Sequence, residues 1–435
     1  MRVSRKINVN DIPRLKKQLL HWAQQFEEVV WLDSNNYPDK YSNFDAVLAA
    51  DAFTAIQTNA EATFEKLQDY QKLTSDWIFG YLSYDLKNDV ENLTSGNFDG
   101  LHFPDLFFFQ PKKLFLLKGN ELEIQYLNMV SEEIESDLEE IFSHSEIKKI
   151  PKNSISEKGI LGRISRKTYL EKVEEMLAHI HRGDIYEANF CQEFYAENAE
   201  IDPAETFEKL NHISRPPFAA FFKNHQYFVM SASPERYLQK NGTKIISQPI
   251  KGTAKRSENI GEDALLAENL KNDPKERAEN IMIVDLVRND LSKTAKKASV
   301  SVEELCAVYP FKQVHQMIST VTSELKNGIS SVEVLQTTFP MGSMTGAPKV
   351  SAMKIIEELE ESKRGLYSGA LGYFNPEGDF DFSVIIRSIL YNSERKYVSF
   401  SVGGAITAGS SPEKEYEECL LKAKAMREVL EAFKH

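Results

Sequence analysis

The chain alternates between short apolar runs of strand type and longer segments in which apolar residues recur at helical spacing. From residue 1 to about residue 130 the apolar runs are rich in β-branched and aromatic residues, which favour strands. The strands expected there are 29–33, 46–50, 77–84, 106–109, 114–117 and 121–127. The pattern of this region predicts mixed short strands and helices that form hydrophobic core. It offers no candidate catalytic or binding residue.

Charged and serine-rich sequence between residues 131 and 158 interrupts this pattern. Such a composition is typical of a surface segment or of a boundary between two parts of a chain. We therefore divide the chain near residue 155, into an N-terminal region of residues 1–155 and a second region of residues 156–435.

The second region opens with a helix that Ser165 can cap and that ends at Gly183. Strands are expected at 185–195, 218–222, 227–231, 236–240, 243–250 and 382–390. An Asn-Gly dipeptide at positions 241 and 242 predicts a two-residue hairpin turn. Counting back from that turn places Glu235 opposite Gln248 and near Lys251, on a shared face only if Pro249 breaks the register.

Lys251 is the candidate nucleophile. It follows an apolar strand in which Pro249 interrupts the hydrogen-bond ladder, and Gly252 then frees the backbone. A poorly solvated lysine would hold its proton less tightly, and its neutral amine could attack carbon. The alternative is a strand-end lysine whose ammonium group reaches bulk solvent.

Two helices, beginning near residues 273 and 411, each present acidic residues three positions apart on one face. These residues are Glu276 and Glu279 in the first helix, and Glu415 and Glu418, followed by Lys422, in the second. Carboxylates alone suit a hard cation, of which Mg²⁺ is the natural choice. Glutamates in a first helical turn also complement the helix dipole, so the spacing alone leaves the metal open.

Two glycine-rich turns, at residues 342–349 and 403–409, can expose backbone N–H groups to an anion. Neither has the spacing of a phosphate-binding loop, and no dinucleotide-binding pattern is present, so ATP and NAD are not expected. A carboxylate would suit these turns, and Arg387, in strand 382–390, could add a bidentate clamp. The alternative is that both segments are only tight turns.

Composition narrows the class of function. Asp and Glu outnumber Lys and Arg by 65 to 52, and the net charge of −13 argues against nucleic-acid binding through counterion release. The three cysteines are far apart, which suits a reducing cytoplasm, and no apolar segment is long enough to span a membrane. None of the cysteines lies in a glycine-framed elbow, so the chain is not expected to release ammonia from glutamine unaided.

Six motifs stand out between about residues 160 and 432. They are Ser233-Pro-Glu-Arg-Tyr, Gln248-Pro-Ile-Lys-Gly-Thr, residues 278–290, Pro340-Met-Gly-Ser-Met-Thr-Gly-Ala-Pro-Lys, Arg364-Gly-Leu-Tyr-Ser-Gly-Ala and residues 403–422. In their order and spacing they resemble the motifs of the chorismate-utilising enzymes. The resemblance implies an α+β fold in which two large β-sheets pack together with helices outside. Residues 1–155 would contribute strands to this shared sandwich, and residues 156–435 would form the chorismate-binding catalytic domain.

The same resemblance implies roles for individual residues. Lys251 is similar to the family's nucleophile, which adds to ring carbon 2 of chorismate while the 4-hydroxyl leaves, before ammonia enters at carbon 4 and expels the lysine. Glu235 matches the general acid/base that protonates the departing hydroxyl. The family's Mg²⁺ ligands correspond to Glu276, Glu279, Glu415 and Glu418. Its substrate-binding positions correspond to Thr253, Ser343, Tyr367, Arg387, Gly403 and Lys422.

Two positions depart from the family pattern. Many relatives have a histidine where this chain has Gln316, and His315, one position away, is assigned no catalytic role. At Glu187 the hydroxylating relatives place a lysine that activates water, and the aminating ones usually have glutamine. The absence of that lysine argues against isochorismate formation.

The function that the resemblance implies is amination of chorismate to 4-amino-4-deoxychorismate for 4-aminobenzoate and folate synthesis. A separate glutaminase subunit would supply the ammonia in the cytoplasm. One alternative is formation of anthranilate, against which Lys251 argues because relatives of that branch carry alanine there. The other is a chorismate-binding regulatory subunit without turnover, which only Gln316 suggests.

Overall fold

The computed structural model of the chain describes residues 1–59, 61–143, 154–155 and 158–432. The strands in these ranges are β1 (Arg2–Asn8), β2 (Glu28–Asp33), β3 (Ala46–Thr58), β4 (Ile78–Leu82), β5 (Leu106–Lys118), β6 (Glu121–Leu127), β7 (Leu161–Gly162), β8 (Glu187–Ala196), β9 (Phe218–Asn224), β10 (Tyr227–Ser233), β11 (Arg236–Asn241), β12 (Lys244–Gln248), β13 (Ile250–Lys255), β14 (Ser301–Pro310), β15 (Val314–Glu324), β16 (Gly346–Ala347), β17 (Ala370–Phe374), β18 (Phe380–Val384), β19 (Ser388–Asn392) and β20 (Tyr397–Thr407).

The α-helices in the same ranges are α1 (Ile12–Ala23), α2 (Thr63–Thr74), α3 (Lys87–Val90), α4 (Ile134–Ser143), α5 (Arg166–Arg182), α6 (Pro203–Ser214), α7 (Ile260–Asn272), α8 (Pro274–Ser292), α9 (Ser331–Thr338), α10 (Lys349–Leu359) and α11 (Pro412–Glu431). Part of the segment in which we divided the chain, residues 144–153 and 156–157, lies outside the described residues. Among the described helices, none is both long and apolar enough to cross a membrane.

The strands form two antiparallel sheets. The first has the order β1-β6-β5-β3-β2-β9-β10-β19-β20-β8, with the short β7 and β16 paired to β8. The second has the order β5-β4-β17-β18-β11-β12-β15-β14, and β13 pairs with β15 beyond the end of β12. Because β5 pairs with β4 along one half and with β6 along the other, it joins the two sheets into one hydrogen-bonded network.

Three buried layers separate these sheets from each other and from the helices. Side chains alternate between the two faces of a strand, so that Phe79 and Tyr81 of β4 lie in the layer between the sheets while Ile78 and Leu82 pack against α2, α8 and α9. Helices α1, α4, α5, α6 and α11 cover the outer face of the first sheet. The expected α+β fold, with two packed sheets surrounded by helices, is confirmed.

The break predicted between two strands near the junction of the sheets was wrong. Residues 106–109 and 114–117, expected as separate strands, are halves of the single strand β5, and its partner β3 continues well beyond residue 50. Pro111 lacks a backbone N–H, but it lies at an irregularity in the pairing where Asp51 has φ +62°. A proline is tolerated at such a bulge, so the strand continues through Pro111.

The register of the hairpin before the candidate nucleophile was also wrong. Asn241 pairs with Lys244, so the two-residue turn is Gly242-Thr243, with φ +58° at Gly242. Gly242 supplies the positive φ that the first turn position needs, which moves the turn one residue along the chain. An irregularity further along the hairpin then places Arg236, and not Glu235, opposite Gln248.

Candidate active site

A cavity of about 990 Å³ opens between α8, which covers the second sheet, and α11, which covers the first. Every residue that the sequence analysis assigned to a site lines this cavity. These residues are Glu235, Lys251, Thr253, Glu276, Glu279, Ser343, Tyr367, Arg387, Gly403, Glu415, Glu418 and Lys422. The fold therefore brings together groups that are up to 187 positions apart in the chain (from 235 to 422).

Lys251 lies one residue into β13. Pro249 separates β12 from β13, and both strands pair with β15, Ser247 opposite Val321 and Ile250 opposite Ile318. The carbonyl of Lys251 accepts a hydrogen bond of 3.1 Å from the side-chain amide of Asn280 in α8. Because of the strand break and this hydrogen bond, the Lys251 side chain points into the cavity, and it is only 13% exposed.

The ammonium group of Lys251 is held by carboxylates. Its Nζ lies 2.9 Å from Oε1 of the buried Glu187. Burial lowers the pKa of Lys251, but the charges of Glu187, Glu279 and Glu235 outweigh it, and the pKa is raised above its ordinary value. The expectation that burial would free the amine of its proton is therefore wrong: Lys251 is an ammonium at rest.

Glu235 is a buried carboxyl that can hold a proton near neutral pH. It is 3% exposed in the link between β10 and β11, and its Oε1 accepts a hydrogen bond of 2.6 Å from the hydroxyl of Ser343. Burial raises the pKa of Glu235 to about 7, although the bond from Ser343 and the charge of Lys251 oppose this rise. Such a group can donate a proton in the pH range of most enzymes.

The paired glutamates face the cavity from two sides. The carboxylate of Asp273 accepts hydrogen bonds from the backbone N–H groups of Lys275 (2.8 Å) and Glu276 (3.0 Å), which fixes the first turn of α8. Across the cavity, Glu415 is buried in the first turn of α11, and the Glu418 carboxylate lies 2.7 Å from the Lys422 ammonium one turn later.

The electrostatics of these carboxylates fit a hard divalent cation. Burial raises the pKa of Glu276 and Glu415 and raises that of Glu279 to about 7, while Lys422 lowers the pKa of Glu418. A carboxylate whose pKa is raised lacks a sufficient counter-charge, which a metal ion supplies. Within the described ranges no three acidic, histidine or cysteine side chains are already arranged to hold a metal ion.

Arg387 is not in a strand, which corrects the prediction for residues 382–390. β18 ends at Val384 and β19 begins at Ser388, and Arg387 lies between them with φ +53°. Because Arg387 lies outside the strand pairing, its guanidinium group lies in the cavity beside Tyr367.

Gly403 lies in β20 and not in a turn, which corrects the prediction for residues 403–409: the strand runs to Thr407 and lines the cavity. A Cβ there would lie 2.6 Å from the sulfur of Cys191 and 2.8 Å from Nδ2 of Asn189, so any other residue would force these side chains to move. Its carbonyl accepts a hydrogen bond of 3.0 Å from the Lys422 ammonium. Thr253 pairs in β13 with Gln316 of β15, which also lines the cavity.

Sequence reasoning missed the residue that touches Lys251. Glu187 had been noticed only as a departure from the family pattern, and it supplies the nearest charge to the lysine. Lys275, whose pKa the four glutamates raise against the effect of burial, was also overlooked. His315 lies off the cavity, with Nε2 2.9 Å from the Asp263 carboxylate.

Comparisons with known proteins agree with this architecture. A family model described as chorismate binding enzyme matches residues 24–428. Aminodeoxychorismate synthase component 1 of Salmonella typhimurium is 41% identical over 268 residues, which is 62% of this chain and 58% of that protein. The protein of the same name from Bacillus subtilis is 30% identical over 368 residues, 81% of this chain and 76% of that one.

Among solved structures, anthranilate synthase component I from Streptococcus pneumoniae TIGR4 has a TM-score of 0.79 at 24% identity and covers 90% of this chain and 93% of that one. This likeness shows the fold. The match to the Salmonella protein spans less than two thirds of that protein's length. The family model covers nearly the whole sequence, and the chain belongs to the family of chorismate binding enzymes.

Proposed function

We propose that this chain aminates chorismate with ammonia to give 4-amino-4-deoxychorismate, for 4-aminobenzoate and folate synthesis. The observation that carries the proposal is the placement of Lys251 and Glu235 in one cavity with the paired glutamates of α8 and α11. The printed names of the Salmonella and Bacillus relatives support the choice of product.

Two side chains would carry the covalent steps. The amine of Lys251 adds to ring carbon 2, the ring double bonds shift, and the hydroxyl at carbon 4 leaves as water with a proton from Glu235. A carboxyl with a pKa of about 7 is well suited to that transfer. Ammonia then bonds to carbon 4, and the C–N bond to Lys251 breaks so that the lysine leaves with the electron pair as a neutral amine.

Positive groups inside the cavity support an anionic substrate. Chorismate carries two carboxylates, and a chain with a net charge of −13 repels them at long range. Arg387 and Lys422 line the cavity, and the guanidinium can hold a carboxylate through two parallel hydrogen bonds. We assign these two residues, with Tyr367, Thr253, Ser343 and the backbone at Gly403, to substrate binding.

We assign Glu276, Glu279, Glu415 and Glu418 to a Mg²⁺ site. The raised pKa of three of these carboxyls supports a site that lacks positive charge. When bound, Mg²⁺ would neutralise the ring carboxylate of chorismate and assist the departure of the hydroxyl.

A separate cytoplasmic glutaminase subunit would supply the ammonia. A glutaminase nucleophile must be an accessible thiolate, but Cys191, Cys306 and Cys419 are buried. Burial raises the pKa of the Cys191 thiol to about 12 and that of Cys419 to about 11. The words "component 1" in the names of the relatives support a second component.

The test is turnover of chorismate by the purified chain with Mg²⁺ and an ammonium salt at alkaline pH. We expect 4-amino-4-deoxychorismate by mass spectrometry, and 4-aminobenzoate after a lyase is added. Lys251→Ala should abolish this product, whereas Lys255→Ala, in the same strand and at the edge of the same cavity, should keep it. Fluorescent anthranilate would indicate the other amination, and no consumption of chorismate would indicate a non-catalytic subunit.

A further inference from the structure

Glu187 and Lys251 form an ion pair that sequence reasoning left without a role. The Glu187 side chain is 1% exposed, and its Oε1 lies 2.9 Å from the Lys251 Nζ. Its second oxygen, Oε2, is buried and has no hydrogen-bond partner in the part of the chain that the structure describes. A buried carboxylate with one unpaired oxygen contributes little to the stability of the fold, because its missing hydrogen bond costs free energy.

The backbone holds this carboxylate in place. Glu187 is the first residue of β8 and pairs with Thr407 of β20 on one side and with Ala347 of β16 on the other. The chain at Gly346 approaches so closely that a Cβ there would lie 2.2 Å from the Glu187 carbonyl oxygen. Glu187 is therefore clamped between two neighbouring strands.

The other acidic groups that face Lys251 have different partners. Oε1 of Glu235 accepts a hydrogen bond from the Ser343 hydroxyl, and the proposed function assigns Glu235 to the leaving hydroxyl. Glu276 and Glu279 approach from α8 and Glu418 from α11, and all three belong to the assigned metal site. Among the described residues, Glu187 alone lies within ion-pair distance of the ammonium.

We propose that Glu187 is the proton acceptor for Lys251. This inference rests on the proposed function, because it concerns the lysine as nucleophile. The proton moves from Nζ to Oε1 of Glu187, and the freed lone pair of Nζ forms the bond to ring carbon 2. When ammonia later displaces the lysine, Nζ leaves as a neutral amine and recovers the same proton from Glu187, so the pair is restored without exchange with solvent.

The test is Glu187→Gln, which keeps the size of the side chain and an acceptor oxygen but cannot take the proton. At pH 8 in EDTA, a small neutral acylating reagent should label Lys251 at least about tenfold faster in this variant, since a carboxylate this close shifts a lysine pKa by about one unit or more. Peptide mass spectrometry reads the rate, with Lys255 as the internal reference.

Turnover gives the second readout. With saturating chorismate and ammonium, kcat of Glu187→Gln should fall at least about tenfold, while KM for chorismate stays within about twofold. Glu187→Asp, which keeps the charge, should be labelled at nearly the wild-type rate. Glu417→Gln, on α11 at the edge of the cavity, should change neither readout.

Labelling that is no faster in Glu187→Gln would overturn the inference, and so would faster labelling with unchanged kcat. Absence of turnover in the wild-type chain would instead refute the proposed function. The labelling arm reads the ion pair without chorismate, so the two failures are distinguishable.

Discussion

The buried Glu235 makes the stability of this protein depend on pH, and Glu235→Gln exposes that dependence. In the folded state the pKa of Glu235 is raised from 4.5 to about 7, mainly by burial. A group whose pKa is raised on folding stabilises the native state below its unfolded pKa, and this contribution is lost as pH rises through the folded value. Wild-type protein should therefore lose stability between pH 4.5 and pH 7 relative to the Glu235→Gln variant, whose side chain is neutral at every pH.

The magnitude follows from the rise in pKa, at about 1.4 kcal/mol for each pH unit. The free energy of unfolding of Glu235→Gln should exceed that of wild type by about 1 kcal/mol at pH 5 and by about 3 kcal/mol at pH 8. The glutamine oxygen can still accept the Ser343 hydrogen bond, so the comparison isolates the charge.

Urea unfolding followed by tryptophan fluorescence, in EDTA at both pH values, measures this difference. Glu417→Gln changes the same charge at the edge of the cavity and should show no such trend. A stability difference for Glu235→Gln that is equal at pH 5 and pH 8 would refute the argument that burial holds the proton on Glu235.

Three further predictions concern the metal, the substrate and the fold. Glu279→Gln should weaken Mg²⁺ binding at least about tenfold, because it removes one of few charged ligands. Calorimetry measures the affinity, and the control is Glu413→Gln, on the same turn of α11 as Glu415. Arg387→Lys should raise KM for chorismate about tenfold, since an ammonium cannot form the paired hydrogen bonds of a guanidinium; an unchanged KM in steady-state kinetics would remove Arg387 from binding. Gly80→Ala should lower the free energy of unfolding by about 3 kcal/mol, because its Cβ would lie 1.9 Å from the Phe107 carbonyl oxygen; thermal unfolding checks this.

Periodicity and capping residues predicted much of the fold. The helix capped by Ser165 does end before Gly183, and α8 begins near residue 273 as expected, with the Asp273 side chain as its cap. These signals are local, because a cap acts within one turn of a helix.

What the sequence did not predict depends on contacts between distant segments. The continuity of β5 through Pro111 needs the irregular partner strand at Asp51, and the exit of Arg387 from the strand pairing needs a positive φ that no local signal marks. The protonation of Lys251 was misjudged for the same reason. Burial could be inferred from the apolar strand, but the opposing carboxylate of Glu187 lies 64 positions away in the chain (251 − 187).

The sharing of strands between the two halves of the chain bears on how the protein can be dissected. β2 of the N-terminal region pairs along its whole length with β9, and β4 pairs with β17. A fragment that starts after residue 157 would leave β9 and β17 as bare, apolar edges, which are sites of edge-to-edge aggregation. Expression of the C-terminal part alone should therefore give insoluble material, and co-expression of residues 1–143 as a separate polypeptide is the rational way to recover it.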